Sequence, residues 1–338
     1  DATHAVEAHL NHLRLIASVL ERIEEESVTA PLLRDLREAI RAEGVSAPEA
    51  VRSLQKAIEW MDASNNQLFA PVAFALQWKI QWAYVLDGWR KRHGHRVAGW
   101  LDALGTWEAL TSLAGYAYER PNDPFPDIVD GGATYDAEDL GHPLIPERSC
   151  VRNNVMLGSA TRCLIVSGSN MSGKSTLLRA VGLNAVLANA GAPVRAKSLR
   201  IAPLDIGATI RIEDDVHEGA SRFYAEITRL REITKLQDSG RPLLFLLDEI
   251  FAGTNSHDRG IGAAAVVKGL VDAGAIGLVT THDLALTSIA QGSQGGIENV
   301  HFEDHLEDGK LSFDYQMRPG VVQKSNALEL MRSIGLRV

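Results

Sequence analysis

Gly168, Gly173, Lys174 and Ser175 stand at the spacing G-x-x-x-x-G-K-[ST], closing the run "LIVSGSNMSGKST" over residues 164–176. Residues of these types at that spacing make a phosphate cradle. Glycines let the backbone curl until its N–H groups point inward at phosphate oxygens. Lys174 then reaches the β- and γ-phosphates as a point charge, and the Ser175 hydroxyl ligates Mg²⁺. A helix beginning near Lys174 adds the positive end of its dipole. The pattern therefore predicts a strand over Cys163–Ser167 and a helix over "TLLRAVGLNAVLANA".

A second run, "RPLLFLLDEI" (Arg241–Ile250), is too short for a typical helix and ends in Asp248-Glu249. Buried parallel strands have this composition, and open α/β sheets place their ligands at the carboxyl ends of such strands. Asp248 at that place holds Mg²⁺, usually through water. Glu249 polarises the attacking water, as a general base or by orienting it. A third run, "AIGLVTTHD", delivers His282 to its own carboxyl end. A histidine there can bond the γ-phosphate and sense its loss. The three runs together predict an α/β P-loop NTPase domain of the ABC-like type that hydrolyses ATP with Mg²⁺.

Positioning these groups is the task of residues 118–338, and residues 1–117 read as an all-α domain preceding them. Val6, Leu10, Leu13, Ile16, Leu20 and Ile23 recur at steps of three and four, the spacing of a buried helix stripe. Pro31 opens a second helix carrying Leu32, Leu36 and Ile40, which Gly44 stops. Ser46 with Glu49 predicts a capping box for a third helix reaching Met61. One long pattern then runs from Gln67 to Arg92 through Val72, Leu76, Ile80 and Leu86. After Gly94 a last helix carries Trp100, Leu104, Trp107, Leu110 and Leu113. All six tryptophans fall between Trp60 and Trp107, at spacings that favour helix packing over base stacking. The Pro-, Asp- and Gly-rich stretch Glu119–Gly132 marks the domain boundary. Beyond His282, "ENVHFED" and "LSFDYQM", joined through Asp308-Gly309, predict a β-hairpin, and a short helix begins near Ser325.

The net charge of −9 gives no basic excess for gripping nucleic acid. The best local candidate is Arg90–Arg96, with four fixed positive charges and two histidines, and a solvated helix end explains it better. No apolar stretch is long enough for a membrane span, and the N-terminus lacks the pattern of a signal peptide. Cys150 and Cys163 match no metal-ligand spacing, which suits a cytoplasmic setting with free thiols.

Taken in order, these motifs resemble the MutS-type mismatch-repair ATPases. "SGSNMSGKST" is similar to that family's T-G-P-N-M-G-G-K-S-T, with Asn170-Met171 as the specific part. "DEIFAGTNSHDRG" resembles D-E-I-G-R-G-T-S-T-x-D-G, "TTHD" the A/T-T-H that follows, and "EDDVHEGASRFYAEI" the D-D-x-x-x-G-x-S-x-F-x-x-E. "IVDGG…GHPLI" and "VRNNVML" resemble the lead-in strands, and "RPGVVQKSNALELMRSIGL" the tail. The resemblance covers residues 110–338, and the helical region matches only loosely, as short core and lever helices.

The resemblance implies that Gly168, Ser169, Asn170, Met171, Ser172, Gly173, Lys174, Ser175 and Thr176 bind phosphates and magnesium. It makes Asp248 and Glu249 the Walker B pair, His282 the switch histidine, and Ser221 a contact to the γ-phosphate held by a partner subunit. The segment Gly253–Arg259 then runs along a homodimer interface with composite sites, and DNA is the implied partner. Several positions depart from the pattern: Cys150 stands where an aromatic often faces adenine, Asn154 replaces an aspartate, Phe251-Ala252 replaces Gly-Arg, and Arg222 replaces a small residue. No Phe-x-Glu wedge occurs anywhere in the sequence, so mismatch reading by this chain is not expected. Two alternatives stand beside the ATPase: a nucleotide-gated binding module with little hydrolysis, and another ABC-type ATPase. Glu249 argues against the first, and the lack of an L-S-G-G-Q signature against the second.

Overall fold

A computed structural model describes residues 2–41, 44–66, 68–209, 222–251, 256–282, 284–292, 296–307 and 310–322. The chain divides into two compact units, residues 1–115 and 116–338.

The first unit is built from helices. The stripe of α1 (Ala2–Glu25) buries Leu10, Ala17, Leu20 and Ile23. Ala17, Leu20 and Ile23 join Ile40 of α2 (Pro31–Ile40) and Ala47, Ala50 and Val51 of α3 (Ala47–Asp62) in one core. The expected capping box at α3 does not form. Pro48 at the second helical position has no N–H to offer, and the Ser46 hydroxyl instead donates to Glu24 Oε2 at 3.2 Å. The pattern from 67 to 92 is not one helix either. It breaks into α4 (Ala70–Ala75) and α5 (Trp78–His93) at Gln77, whose φ of 49° lies in the left-handed region. Val72, Leu76 and Ile80 are consequently exposed rather than buried. The packing there belongs to aromatic rings: Trp60 stacks on Trp82, Phe69 meets Trp78 edge-on, and the Trp78 indole N–H donates to Trp60 O at 2.6 Å. Trp89 ties α5 to α3 through Ala50 O, and Trp100 of α6 (Val97–Glu119) is buried in the core.

The second unit contains two sheets. The smaller runs in the order β1 (Asp127–Ile128), β5 (Ser198–Ile201), β2 (Tyr135–Leu140), β3 (Asn153–Leu157). The larger is ordered β10–β9–β4–β8–β7–β6, with β4 Thr161–Ser167, β6 Asp205–Ala208, β7 Leu243–Asp248, β8 Ile276–Thr281, β9 Gly296–Glu307 and β10 Lys310–Pro319. Its strands are parallel except the edge strand β10, which pairs antiparallel with β9. Helix α7 (Lys174–Asn189) follows β4, α8 (Arg222–Lys235) precedes β7, and α9 (Ser256–Asp272) connects β7 to β8. Short helices α10 (Leu284–Thr287) and α11 (Ile289–Gly292) lead into β9.

Both faces of the larger sheet are covered, which is why its strands are continuous apolar runs rather than alternating ones. Leu164, Val166, Leu244, Leu246 and Leu278 pack against α7 and the smaller sheet. Cys163, Ile165, Phe245, Leu247 and Val279 pack against α8 and α9. Gly277 is the tightest point between β8 and β7, since a Cβ added there would lie 2.1 Å from Phe245 O. Gly277→Ala must therefore push two central strands apart. We expect a loss of about 3 kcal/mol, at the upper end of overpacking costs, measured as a lowered thermal midpoint. An unchanged midpoint would show that the strands yield freely. No helix among the described residues is long and apolar enough to cross a membrane.

Candidate functional site

The strand order sets the site. β8 lies between β4 and β7, so three carboxyl ends meet: Ser167 pairs with Thr281, and Asp248 with Thr280. The loop after β4 turns back on itself at Gly168, with φ of 149°, where an added Cβ would stand 2.9 Å from Ser172 Oγ and 3.0 Å from Phe302 O. Gly173, with φ of 106°, starts α7, and the Tyr315 ring would crowd any side chain there. Met171 between them also has positive φ and leaves its side chain exposed.

Lys174 is 4% exposed, and its ammonium donates to Gly168 O at 2.9 Å and Ser169 O at 2.8 Å. Burial pulls its pKa below the usual lysine value, against the opposing pull of Glu249 and Asp248. Ser175 Oγ donates to Asp248 Oδ1 at 3.0 Å. The Asp248 N–H is held by Thr209 Oγ1 at 3.1 Å. Glu249 adopts φ of 48°, an uncommon backbone for its type. Its carboxylate lies between two cationic candidates, with Oε1 3.6 Å from Lys174 Nζ and Oε2 3.5 Å from His282 Nδ1. Lys174, Ser175, Asp248, Glu249 and His282, spread over 109 positions of chain, thus meet at one point.

A cleft of about 560 Å³ opens beside them, lined by Asn170, Met171, Lys174, Ser175, Thr176 and Glu249. Further wall comes from His142, Ile145, Asn153, Phe302 and Tyr315, residues of the flanking motifs to which no site role was given. Tyr315 has φ of 56° at an irregularity in β10. Asn153 from the smaller sheet stitches that irregularity, donating to Tyr315 O at 3.0 Å and accepting from Met317 N at 2.7 Å. Burial foremost and Arg179 secondarily lower the pKa of His142, and its Nδ1 accepts from Leu144 N at 3.2 Å. No local spacing relates these residues to the loop, because they come from β3, β9, β10 and the segment after β2.

The cleft fits a triphosphate and its metal on the residues present. Ser169 Oγ and Ser172 Oγ are buried beside the loop with no hydrogen-bond partner among the described residues, polar groups that a bound anion would satisfy. Ser175 Oγ and Asp248 together offer the hard oxygen ligands that Mg²⁺ takes.

With this geometry in place, comparison of the sequence with protein families is decisive: the model of MutS domain V matches residues 164–337. The chain belongs to the MutS family. Among relatives, it is 35% identical over 241 residues to "Endonuclease MutS2" of Thermus thermophilus, covering 70% of this chain and 30% of that protein. It is 32% identical over 245 residues to "DNA mismatch repair protein MutS 2" of Halobacterium salinarum, covering 71% and 27%. The "DNA mismatch repair protein MutS" of Myxococcus xanthus is 32% identical over 254 residues, covering 71% and 27%. The chain thus spans between a quarter and a third of the length of these relatives.

Several positions singled out against the MutS pattern acquire a physical setting. Cys150 does not line the cleft; its Sγ packs on Gly141, where an added Cβ would come within 2.7 Å, and the aromatic wall is supplied by Tyr315 instead. Asn154 accepts from Asp139 N at 2.8 Å, which holds the left-handed Asp139 in β2. Phe251 packs on Phe223, and its N–H donates to Glu226 of the motif S-x-F-x-x-E at 2.7 Å. Within Gly253–Arg259, Ser256–Arg259 is the first turn of α9, with Arg259 Nε donating to Phe251 O at 3.1 Å. Ser221, residues 252–255, Asp308-Gly309 and the expected helix near Ser325 lie outside the described residues.

Proposed function

We propose that this chain is the Mg²⁺-dependent ATPase module of a MutS-family protein, an ABC-like P-loop NTPase domain joined to a helical domain. The observation that carries the proposal is the Glu249 carboxylate set between Lys174 and His282, beside the Ser175–Asp248 pair. Lys174 exchanges its two carbonyl partners for the β- and γ-phosphates. The loop from Gly168 through Thr176, with the hydroxyls of Ser169 and Ser172, surrounds the phosphate chain, and the wall containing Tyr315 and Ile145 receives the base. Ser175 and Asp248 hold Mg²⁺, which neutralises phosphate charge when bound. Glu249 orients and deprotonates the attacking water, and His282 senses the γ-phosphate. Phosphoryl transfer needs positioning and charge neutralisation rather than a covalent intermediate, and these groups supply both.

ATP favours a homodimer in which Ser221 of one subunit completes the site of the other, and the nucleotide cycle moves the helical domains. Relatives carrying the words "DNA mismatch repair" and "endonuclease" in their names support a place in DNA repair or recombination, with DNA as the partner.

A mixing experiment tests hydrolysis and the composite site together. Lys174→Ala and Ser221→Ala chains, each nearly inactive alone, should regain partial ATPase activity when combined, because one mixed interface pairs an intact loop with an intact serine. Mixtures no more active than the separate variants, with heterodimers shown to form, would remove the shared site. A parent chain without Mg²⁺-dependent hydrolysis would remove the function.

A further inference from the structure

The motifs assign no role to Thr280, yet this buried residue touches both acids of the site. We propose that Thr280 is a positioning residue that sets Asp248 and Glu249 together, through one hydroxyl. The inference rests on the nucleotide reading above and extends it to the strand between the loop and the acids.

Thr280 belongs to β8, where its register neighbours are Val166 of β4 and Asp248 of β7. Its Oγ1 donates to Asp248 Oδ1 at 2.6 Å and accepts from Glu249 N at 3.0 Å. A hydroxyl has one proton to donate and lone pairs to accept, and only this polarity suits its partners: the carboxylate accepts and the N–H donates. Asp248 Oδ1 therefore receives two hydroxyls, from Thr280 and from Ser175 at 3.0 Å. Two donors on one oxygen fix the carboxylate's rotation and so the direction in which its other oxygen faces the site.

The second bond acts on Glu249. Its left-handed backbone turns the side chain out of the strand direction, toward Lys174 and His282. Such a conformation persists where the surroundings over-determine it. Here the Glu249 N–H is shared between Thr280 Oγ1 at 3.0 Å and Thr280 O at 3.3 Å, so the same residue secures the turn twice. Thr280 is fully buried, so no water stands ready to replace the hydroxyl.

Valine matches threonine in shape and branching and lacks only the hydroxyl. For the Thr280→Val chain we expect metal-free ATP binding within about twofold of the parent, because no loop contact is touched. The Mg²⁺ concentration giving half of the ATP-induced thermal shift should rise about tenfold, the low end of the usual cost of losing an outer-shell partner. The hydrolysis rate should fall by about the same factor. Thr280→Ser, which restores the hydroxyl, should return both values to within about threefold of the parent.

A merely structural threonine would lower the melting temperature and leave the Mg²⁺ midpoint unmoved. That outcome overturns the proposal, as does a serine variant as impaired as the valine one, which would assign the effect to the methyl group. Thr280→Ala reports the same midpoint if the valine chain does not fold. A parent that binds and hydrolyses ATP beside an unaffected Thr280→Val removes only the role of Thr280. A parent that does neither removes the nucleotide reading and this role with it.

Discussion

Lys174→Ala is expected to weaken ATP binding by about 10²-fold. The side chain is almost fully enclosed and points at the carbonyls of Gly168 and Ser169, so it is the cation already stationed inside the loop. A charge-assisted hydrogen bond to an ionised partner contributes up to about 3 kcal/mol, and about 3 kcal/mol corresponds to that factor. Fold stability should change little in comparison. The ammonium is buried at a desolvation cost, as its lowered pKa records, and removing it relieves that cost while releasing two carbonyls. Calorimetric titration with ATP against the parent measures the loss. Affinity within threefold of the parent would mean that the phosphates lie elsewhere.

Glu249→Gln should leave binding intact and slow turnover by about 10²-fold or more, the usual cost of losing general-base assistance. Glutamine keeps the shape of the side chain that faces Lys174 at 3.6 Å and His282 at 3.5 Å, and removes its charge. Without a competing carboxylate beside Lys174, nucleotide should bind as tightly as in the parent or more so. The separation of effects is the informative part: Lys174→Ala acts on affinity, Glu249→Gln on rate. Steady-state hydrolysis at saturating ATP gives the rate directly. Turnover at the parent value would transfer the water-orienting role away from Glu249.

The elements around the site were legible because their signals are local. A strand buried on both faces must be apolar throughout, so the runs ending at Ser167, Asp248 and Thr281 stand out from their surroundings. The helix stripe of α1 was equally plain, since Leu10, Leu20 and Ile23 recur at helical spacing and each is buried. The pattern from 67 to 92 misled for a physical reason. Periodicity records which residues are apolar but not whether the backbone turns between them, and Gln77 in the left-handed region ends one helix before Trp78 begins the next. The Ser46 cap failed similarly, because a carboxylate from another helix claimed the hydroxyl.

Sequence alone determined the chemical inventory: a glycine-framed loop ending in Lys174-Ser175, two acids closing one strand and a histidine closing another. Each is written in consecutive residues whose spacing has a direct steric or electrostatic meaning. Tertiary structure decided which strand lies between the others, and that order puts Thr280 against both Asp248 and Glu249. It also decided that Asn153 and Tyr315, 162 positions apart, complete the wall of the cleft. Such contacts depend on strand order and on a register irregularity in β10. Those are set by the packing of the whole domain, which brings together residues that no local spacing relates.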